Sequence, residues 1–337
     1  MTAVNASLSR LSRGFAGKRV VITGGLGFIG SNLARALVRQ GARVLLVDSL
    51  IPEYGGNLRN IHGLEQRLEV SFADVRNAHV LPVLLRGQDV LFNLAGQTSH
   101  LDAVNDPATD LEINCRAQLS ILEACRRHNP GITIVFASTR QIYGRPDRLP
   151  VDERHPIRPV DVNGINKCAG EWYHTLYHQL YGIRTCVLRL TNTIGPRMRI
   201  KDARQTFLGV WIRQLLEHRP IEVWGGAQRR DFTYVDDCVR ALLLAASREA
   251  AVGRVFNLGG CPPVSLRDLA RLLIAVNGGG RMAIREFPAE RRKIDIGDYY
   301  ADWTAIRETL GWEPRVTLRE ALRRTLAYYR RERRHYL

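Results

Sequence analysis

The stretch Val20-Val21-Ile22-Thr23-Gly24-Gly25-Leu26-Gly27-Phe28-Ile29-Gly30 decides the fold of this chain. An apolar run ends in spaced glycines, and a helix-like segment follows over residues 31–40. Such glycines permit a tight turn, let an anionic group approach bare backbone, and allow the helix to pack against its strand. The helix N-terminus adds free N–H groups and a partial positive charge. The stretch therefore predicts a pyrophosphate cradle between a strand and a helix.

A second predicted strand, residues 42–47, ends in Asp48. A carboxylate at the end of this strand is placed to accept hydrogen bonds from both ribose hydroxyls of an adenosine. The cradle and the acid together predict a dinucleotide-binding site.

Apolar strands alternate with helices through the first half of the chain. Strands are predicted at 19–23, 43–48, 68–72, 90–95, 132–137 and 184–190, with long helices at 27–40, 108–128 and 164–181. Continuous apolar strands separated by helices indicate a parallel sheet covered on both faces, with ligands bound beyond the carboxyl ends of the strands. Loops become longer and prolines more frequent after residue 190.

The predicted fold is therefore α/β, a Rossmann-type doubly wound parallel sheet with a smaller C-terminal α/β substrate-binding cap. Residues 1–17 lack the apolar core of a signal peptide and are expected to form a flexible extension. The nucleotide-binding domain is assigned to 18–190, with a returning segment at about 232–260. The cap is assigned to 191–231 and 261–337.

Composition limits the functional classes. The 337 residues are 45% apolar and 24% charged, and no apolar run approaches the ~20 residues that a membrane span needs. The net charge of +16 comes without a nucleic-acid-binding motif, so we expect no nucleic acid and no membrane as partners. A basic surface that attracts anionic substrates explains the charge. The six cysteines form no C-x-x-C pair, which predicts reduced thiols, no metal site and a cytoplasmic location.

Further segments follow the motif order of one enzyme family. They are Ala73-Asp74-Val75, Asn93-Leu94-Ala95-Gly96-Gln97, Glu112-Ile113-Asn114, Ser138-Thr139-Arg140-Gln141-Ile142-Tyr143-Gly144, Arg189-Leu190-Thr191-Asn192-Thr193-Ile194-Gly195-Pro196, Arg229-Arg230-Asp231-Phe232-Thr233-Tyr234-Val235-Asp236-Asp237 and Leu310-Gly311-Trp312-Glu313-Pro314. Over about residues 18–328 the chain thus resembles the extended short-chain dehydrogenase/reductase family, the NAD-dependent nucleotide-sugar epimerases and dehydratases. These motifs are specific for the family and much less specific for the substrate.

The resemblance implies that NAD is the cofactor and a nucleotide sugar the substrate. Asp48 favours NAD over NADP, because a 2′-phosphate beside a carboxylate would be repelled. Asn192, Arg230 and Arg292 fall where the family grips the nucleotide diphosphate, a task that suits the arginine fork. The residues implied in cofactor binding are Gly24, Gly27, Phe28, Ile29, Gly30, Asp48, Asp74, Val75, Leu94, Ala95, Gly96, Gln97, Asn114 and Lys167.

The chain departs from the family at the catalytic pair, a tyrosine and a lysine four residues apart. Lys167 is present, but the tyrosine position is Asn163, whose amide cannot titrate near neutral pH. One interpretation is that Tyr143, His100 or Lys167 itself supplies the base. In a second, a water held by Asn163 and by Thr139, which stands at the family's Ser/Thr position, relays the proton. In a third, the site binds its ligands without hydride chemistry.

The two residues after Thr139 discriminate between reactions of the family. The 4,6-dehydratases carry Asp-Glu there and decarboxylating members keep a Glu second, whereas this chain has Arg140 and Gln141, which cannot do that work at pH 7. This favours epimerisation of a UDP-type sugar through a transient 4-keto intermediate. The alternatives are another oxidoreduction, C3 or C5 epimerisation, and a non-catalytic binding protein. Arg140 is a hypothetical contact for an acidic sugar such as a uronate, and Gln141 is assigned to the substrate site.

The predicted helices at 108–128 and 164–181 correspond to helices that commonly pair across a dimer in this family. The resemblance therefore implies a homodimer.

Overall fold

The computed structural model describes residues 14–51 and 53–337, without the side chains of residues 290 and 291. Its strands and α-helices are, in chain order, β1 (Arg19–Thr23), α1 (Phe28–Arg39), β2 (Arg43–Asp48), β3 (Glu69–Phe72), α2 (Leu81–Leu85), β4 (Val90–Asn93), α3 (His100–Asn105), α4 (Pro107–Leu111), α5 (Ala117–His128), β5 (Thr133–Thr139), α6 (Val162–Tyr181), β6 (Arg184–Leu190), β7 (Asn192–Ile194), α7 (Phe207–Leu216), β8 (Ile221–Trp224), β9 (Arg229–Arg230), β10 (Phe232–Tyr234), α8 (Val235–Ser247), β11 (Val255–Leu258), β12 (Val264–Ser265), α9 (Leu266–Asn277), β13 (Met282–Arg285), α10 (Ala289–Arg292), α11 (Thr304–Leu310) and α12 (Leu318–Glu332).

The central sheet has seven strands in the order β11-β6-β5-β4-β1-β2-β3. All of its neighbouring strands are parallel. The order runs outward from β1 in both directions, which is the doubly wound topology, so the predicted fold class is confirmed. The carboxyl ends of β1, β2, β4, β5 and β6 therefore meet along one edge of the sheet.

Both faces of the sheet are buried, and successive residues of β1 show this. Val20 and Ile22 join the apolar cluster that contains Leu33 of α1 and Leu242 of α8. Val21 points to the opposite face and joins a second cluster with α2, α5 and α6. Because no face is left for water, the strands carry apolar residues without polar alternation.

The turn after β1 is built on glycine for steric reasons. Gly24 has φ +68°, and a Cβ on Gly30 would lie 2.3 Å from the carbonyl oxygen of Gly24. Larger residues at these two positions would push the turn away from α1. The turn thus keeps the first helix against the first strand, as the sequence predicted.

The long helix predicted at 108–128 is interrupted by a π-helical turn over Glu112–Arg116, between α4 and α5. The wider turn points the Asn114 side chain inward, where its Nδ2 bonds to Asp110 and to the carbonyl of Gln97. The amide of Gln118 donates to the carbonyl oxygen of Ile113 at 2.9 Å, which satisfies an acceptor within the altered ladder.

The C-terminal region adds three small two-stranded sheets beside the main one, formed by β7 with β10, β8 with β13, and β9 with β12. Between them, α8 and β11 return to the main sheet, where β11 pairs with β6. The domain boundaries given above remain a prediction.

Residues 1–13 of the predicted extension lie outside the described residues, and its last part is corrected by the structure. Phe15 is 1% exposed, and its ring centroid lies 6.4 Å from that of Phe92, so Phe15 packs in the core, whereas residues 14, 16 and 17 beside it are exposed. None of the helices in the described part of the chain combines the length and apolar character that crossing a membrane requires. All six cysteines are unpaired, and the described residues contain no cluster of three or more metal-ligating side chains.

Candidate functional site

One cavity opens at the carboxyl edge of the sheet, where the sequence predicted the ligands. It brings together most of the predicted site residues from seven separate segments of the chain. Its lining includes Gly24, Gly27, Phe28, Ile29, Gly30, Asp48, Asp74, Val75, Leu94, Ala95, Gly96, Gln97, His100, Thr139, Arg140, Gln141, Asn163, Lys167 and Asn192.

The glycine turn and Asp48 form one end of this cavity. The Asp48 carboxylate accepts backbone hydrogen bonds from Leu26 at 3.0 Å and from Leu50 at 2.9 Å, which fix it at the end of β2. Burial raises the pKa of Asp48, and the two backbone hydrogen bonds oppose the rise. Each carboxylate oxygen keeps a lone pair for a hydroxyl donor. The glycine turn, which has no room for side chains, fits the pyrophosphate of a dinucleotide. The fixed carboxylate of Asp48 fits its ribose.

Asp74 lies beside this end of the cavity and pairs with Arg76. The guanidinium donates to its carboxylate at 2.6 Å, and that hydrogen bond lowers the pKa of Asp74. The ion pair leaves Asp74 charged and able to accept a further bond from an adenine amino group.

Thr139 and Lys167 stand at the opposite end of the cavity. The Thr139 hydroxyl accepts the N–H of Gln141 at 3.2 Å, which leaves its own hydrogen for a ligand oxygen. Lys167 is 7% exposed; its amine donates to the carbonyl oxygen of Ala137 at 3.2 Å and lies 5.1 Å from the ring centroid of Phe136. Burial lowers the pKa of Lys167 to about 8. The amine is therefore partly neutral at physiological pH and keeps donors for a ligand.

Asn163, which the family resemblance assigns to the tyrosine position, is 3% exposed and commits both amide hydrogens. Its Nδ2 donates to the carbonyl oxygen of Gln97 at 2.8 Å and to Oδ2 of Asp110 at 2.9 Å. Because both partners are acceptors, the orientation of the amide is fixed, and Oδ1 is the atom that remains for a ligand. Asn163 can thus accept a hydrogen bond in the cavity, and it can neither take nor deliver a proton.

Asp110 is a fully buried carboxylate behind the cavity wall, and the sequence reasoning missed it. Besides Asn163 it accepts the side-chain amides of Asn114 at 3.0 Å and Asn166 at 2.8 Å. Its charge also raises the pKa of Lys167, against the larger effect of burial. The available signal was Asn163, Asn166 and Lys167 at helical spacing on α6, since a buried group of this kind needs a shared acceptor.

His100 and Asp161 form a pair at the rim. His100 lines the cavity with its side chain 37% exposed, and its Nδ1 lies 3.0 Å from Oδ2 of Asp161. The two atoms are close enough for an ion pair, but the angle at Nδ1 does not allow a hydrogen bond from the ring. Asp161 also accepts the N–H of Gly164 at 2.7 Å, as the N-cap of α6, and the amide of Gln141 at 2.8 Å.

Burial raises the pKa of the Asp161 carboxyl, but the contacts with His100, Gly164 and Gln141 outweigh it and hold that pKa below its usual value. Asp161 is therefore charged, and a charged carboxylate 3.0 Å from an imidazole nitrogen can orient the ring. The sequence reasoning had singled out His100 without this partner.

Tyr143 does not reach the cavity, which corrects its assignment as a candidate base. The ring is fully buried; its hydroxyl donates to Oδ1 of Asn257 at 2.7 Å and accepts from Arg189 at 2.5 Å. Arg189 is itself paired with the buried carboxylate of Glu171. Burial raises the pKa of Tyr143 to about 12, so the phenol is neutral and belongs to the core.

Arg140 lies on the cavity wall next to Asn192. Its Nη2 donates to Oδ1 of Asn192 at 3.0 Å, and its Cζ lies 5.5 Å from the ring centroid of Tyr299. Arg230 lies within electrostatic reach of Arg140 but outside the lining, where it pairs with Asp295 at 3.3 Å. Burial and the charge of Arg140 lower the pKa of Arg230 to about 10.

Two other predicted residues are not on the cavity wall. Arg292 is exposed on α10, where its guanidinium donates to the carbonyl oxygen of Phe287 at 3.3 Å, and its assignment to the diphosphate stays a prediction. Asn114 lies just behind the wall, and its buried Oδ1 has no hydrogen-bond partner among the described residues.

Comparison with known proteins agrees with this geometry. The model of the NAD dependent epimerase/dehydratase family matches residues 20–259. A putative UDP-glucose 4-epimerase of Methanocaldococcus jannaschii is 31% identical over 91% of this chain and 97% of that protein. The UDP-glucose 4-epimerase of Thermotoga maritima, solved with UDP-glucose, matches with a TM-score of 0.85 and 29% identity over 93% of this chain and 98% of that chain.

The UDP-glucuronic acid 4-epimerase of Bacillus cereus was solved with UDP-glucuronic acid and NAD. It matches with a TM-score of 0.82 and 27% identity, over 93% of this chain and 99% of that chain.

Proposed function

The chain belongs to the NAD dependent epimerase/dehydratase family, with NAD as its cofactor, and on that premise we propose that it is a nucleotide-sugar epimerase acting on a UDP-type sugar through a transient 4-keto intermediate. The observation that carries the proposal is a single cavity that joins the glycine turn and Asp48 to Thr139 and Lys167. When bound there, NAD supplies the acceptor and donor of hydride for the sugar carbon.

The chain's own residues divide the remaining tasks. The Thr139 hydroxyl donates a hydrogen bond to the reacting sugar oxygen, and Asn163 Oδ1 accepts one from a ligand hydroxyl. Lys167 donates to ribose hydroxyls and adds a positive charge beside them when protonated. Asn192, Arg230 and Arg292 hold the diphosphate side of the substrate.

We assign the base to His100, with Asp161 as its positioning residue. Of the candidate bases, Tyr143 is excluded by its position in the core, and Lys167 is mostly protonated below its pKa of about 8. His100 lies on the wall, and the Asp161 carboxylate lies 3.0 Å from its Nδ1, where it can orient the ring for proton transfer.

The proposal favours epimerisation over elimination or decarboxylation. Arg140 and Gln141 occupy the positions at which the family's dehydratases carry an acid pair, and the Gln141 amide is held by Asp161 at 2.8 Å. The carboxylate of Asp161, which holds the Gln141 amide, also caps α6 and contacts His100. C3 or C5 epimerisation and simple oxidoreduction would use the same binding residues.

The proposal includes a homodimer formed through α6. Ile165, Trp172, Leu176 and Leu180 are 55%, 61%, 43% and 62% exposed and follow one face of this helix. A second copy of this chain is the occupant that the family resemblance implies for that apolar stripe. The six unpaired cysteines suit a reducing compartment, and we propose the cytoplasm.

The test is a panel of UDP-, dTDP-, GDP- and CDP-sugars incubated with the NAD-loaded protein. We expect a reduced-nicotinamide absorbance near 340 nm and an epimerised UDP-sugar by NMR, without deuterium entering the sugar carbons from D2O. Deuterium at C3 or C5 would instead identify epimerisation through carbon acidity at those centres.

A second candidate function is a non-catalytic protein that binds NAD and a nucleotide sugar. It is favoured because Asn163 uses both amide hydrogens in bonds to Gln97 and Asp110. Tight binding of a nucleotide sugar with no absorbance band, no product and no exchange across the panel would support that candidate and reject the epimerase.

A further inference from the structure

We propose that Arg140 reads an acidic group on the sugar, so that the site takes nucleotide sugars that carry a carboxylate, the glycuronosyl class. The inference rests on the proposed function, and it deepens that function by naming the class of sugar. Two features of Arg140 carry the inference. Its guanidinium lies on the cavity wall with a buried donor nitrogen that has no hydrogen-bond partner, and the residue directly follows Thr139 in the chain.

The position of Arg140 puts it beside the sugar. Thr139 ends β5 and Arg140 begins the 3-10 turn that follows, so their Cα atoms are about 3.8 Å apart. Both residues line the cavity, together with Asn163 and Lys167. A sugar whose reacting oxygen meets the Thr139 hydroxyl therefore presents its neighbouring substituents to Arg140.

The guanidinium is held but not satisfied. Nη2 donates to Asn192, and the ring of Tyr299 lies under Cζ. Nη1 is enclosed and has no hydrogen-bond partner, and no carboxylate of the described residues lies within ion-pair distance of Arg140. An enclosed charged donor with an unmade bond costs free energy, which an anionic acceptor on the ligand would recover. The planar fork of arginine matches a carboxylate.

The surrounding carboxylates are already engaged. Asp295 pairs with Arg230, and Asp231 accepts the hydroxyl of Thr191 and the N–H of Ala301 at 3.2 Å. Burial raises the pKa of Asp231 to about 6, so this group is charged at pH 7 and offsets part of the positive charge. It does not supply the missing acceptor for Arg140.

Gln141 adds a second argument. Its amide is tied to Asp161, and neither it nor Arg140 can act as an acid or base near pH 7. A carboxylate bound here would therefore be held in place and kept in the product. The expected reaction is epimerisation of the acidic sugar with retention of its carboxyl group.

Calorimetry on the NAD-loaded protein with UDP-glucuronate, UDP-glucose and UDP tests the inference. We expect UDP-glucuronate to bind at least 10-fold more tightly than UDP-glucose, in line with about 10–100-fold for a charge-assisted bond. Arg140→Met keeps an unbranched apolar stem without the charge and should remove that preference, while Arg140→Lys keeps part of it. UDP-glucose and UDP should lose much less affinity for the Met variant than UDP-glucuronate loses.

Arg158→Met is the matched control, because Arg158 is exposed and paired with Asp147. Equal loss of all three ligands in Arg140→Met, with fold and NAD content retained, would assign Arg140 to the diphosphate and overturn the inference. Equal affinity of the wild type for UDP-glucuronate and UDP-glucose would also overturn it while leaving the proposed function intact. Binding of none of the three would count against the proposed UDP-sugar function itself.

Discussion

The carboxylate of Asp110 accepts the side-chain amide of Asn163 at 2.9 Å, behind the wall of the cavity. The residue that replaces the family tyrosine is thereby tied to the π-helical turn region through α4 rather than left free for proton transfer. Asn114 and Asn166 bond to the same carboxylate. The asparagine at this position is thus one member of a buried polar network, and the network depends on a single acceptor.

Replacing Asp110 with Asn should destabilise the protein by about 3 kcal/mol, because an amide nitrogen would then face amide donors in a buried site. The change is nearly isosteric, so the loss reports hydrogen bonding rather than a cavity. Urea unfolding measures it. Glu308→Gln is the control, since Glu308 is exposed and should change stability by less than about 0.5 kcal/mol. Equal stability of Asp110→Asn and the wild type would mean that the network contributes nothing.

Lys167 makes the stability depend on alkaline pH. Burial lowers its pKa from 10.5 to about 8. Between these values the unfolded chain binds more protons than the folded one, so this residue's contribution to the free energy of unfolding rises as pH increases from about 8 to 10.5 and is unfavourable below 8. Lys167→Met should therefore be more stable at pH 7 by about 2 kcal/mol, after loss of the bond to Ala137.

The measurement is urea unfolding of both proteins at several pH values from 7 to about 10.5. The gain of Lys167→Met over the wild type should shrink as pH rises through this range. Lys201→Met, at an exposed lysine, should follow the wild type at every pH. A constant difference between Lys167→Met and the wild type would show that the amine is not destabilised by burial.

The sequence predicted well those features that depend on residues close together in the chain. The glycine turn and Asp48 act through contacts between neighbours in one β-α-β unit, so their spacing alone carries the information. Tyr143 shows the limit: its hydroxyl partner Asn257 lies 114 residues away, and nothing near Tyr143 in sequence distinguishes a core phenol from a cavity phenol. A partner from a distant segment decides this position.

The apolar stripe on α6 predicts a change in assembly. Trp172 is 61% exposed on that helix, and a charge at its position would be buried in the proposed dimer. Trp172→Asp should shift the protein from dimer to monomer in analytical ultracentrifugation. Val83→Asp is the matched control, because Val83 is 76% exposed on α2, away from the stripe. A monomeric wild type, or a Trp172→Asp variant that stays dimeric, would contradict the proposed interface.

The assignment of the base makes the last prediction. With a substrate found in the sugar panel, His100→Gln should lower kcat by about 10²–10⁴-fold with little change in KM, because only the proton transfer is removed. His100→Ala should regain activity with added imidazole, since the position is open to the cavity rim. Asp161→Asn retains an acceptor for the N-cap of α6 but loses the acceptor of the Gln141 amide, so it should lower kcat through the ring's orientation and lower stability by about 1–3 kcal/mol. His62→Gln, at an exposed histidine, is the control. If His100→Gln keeps full kcat while Lys167→Met loses it, then Lys167 is the base, and the pair at the rim only caps the helix.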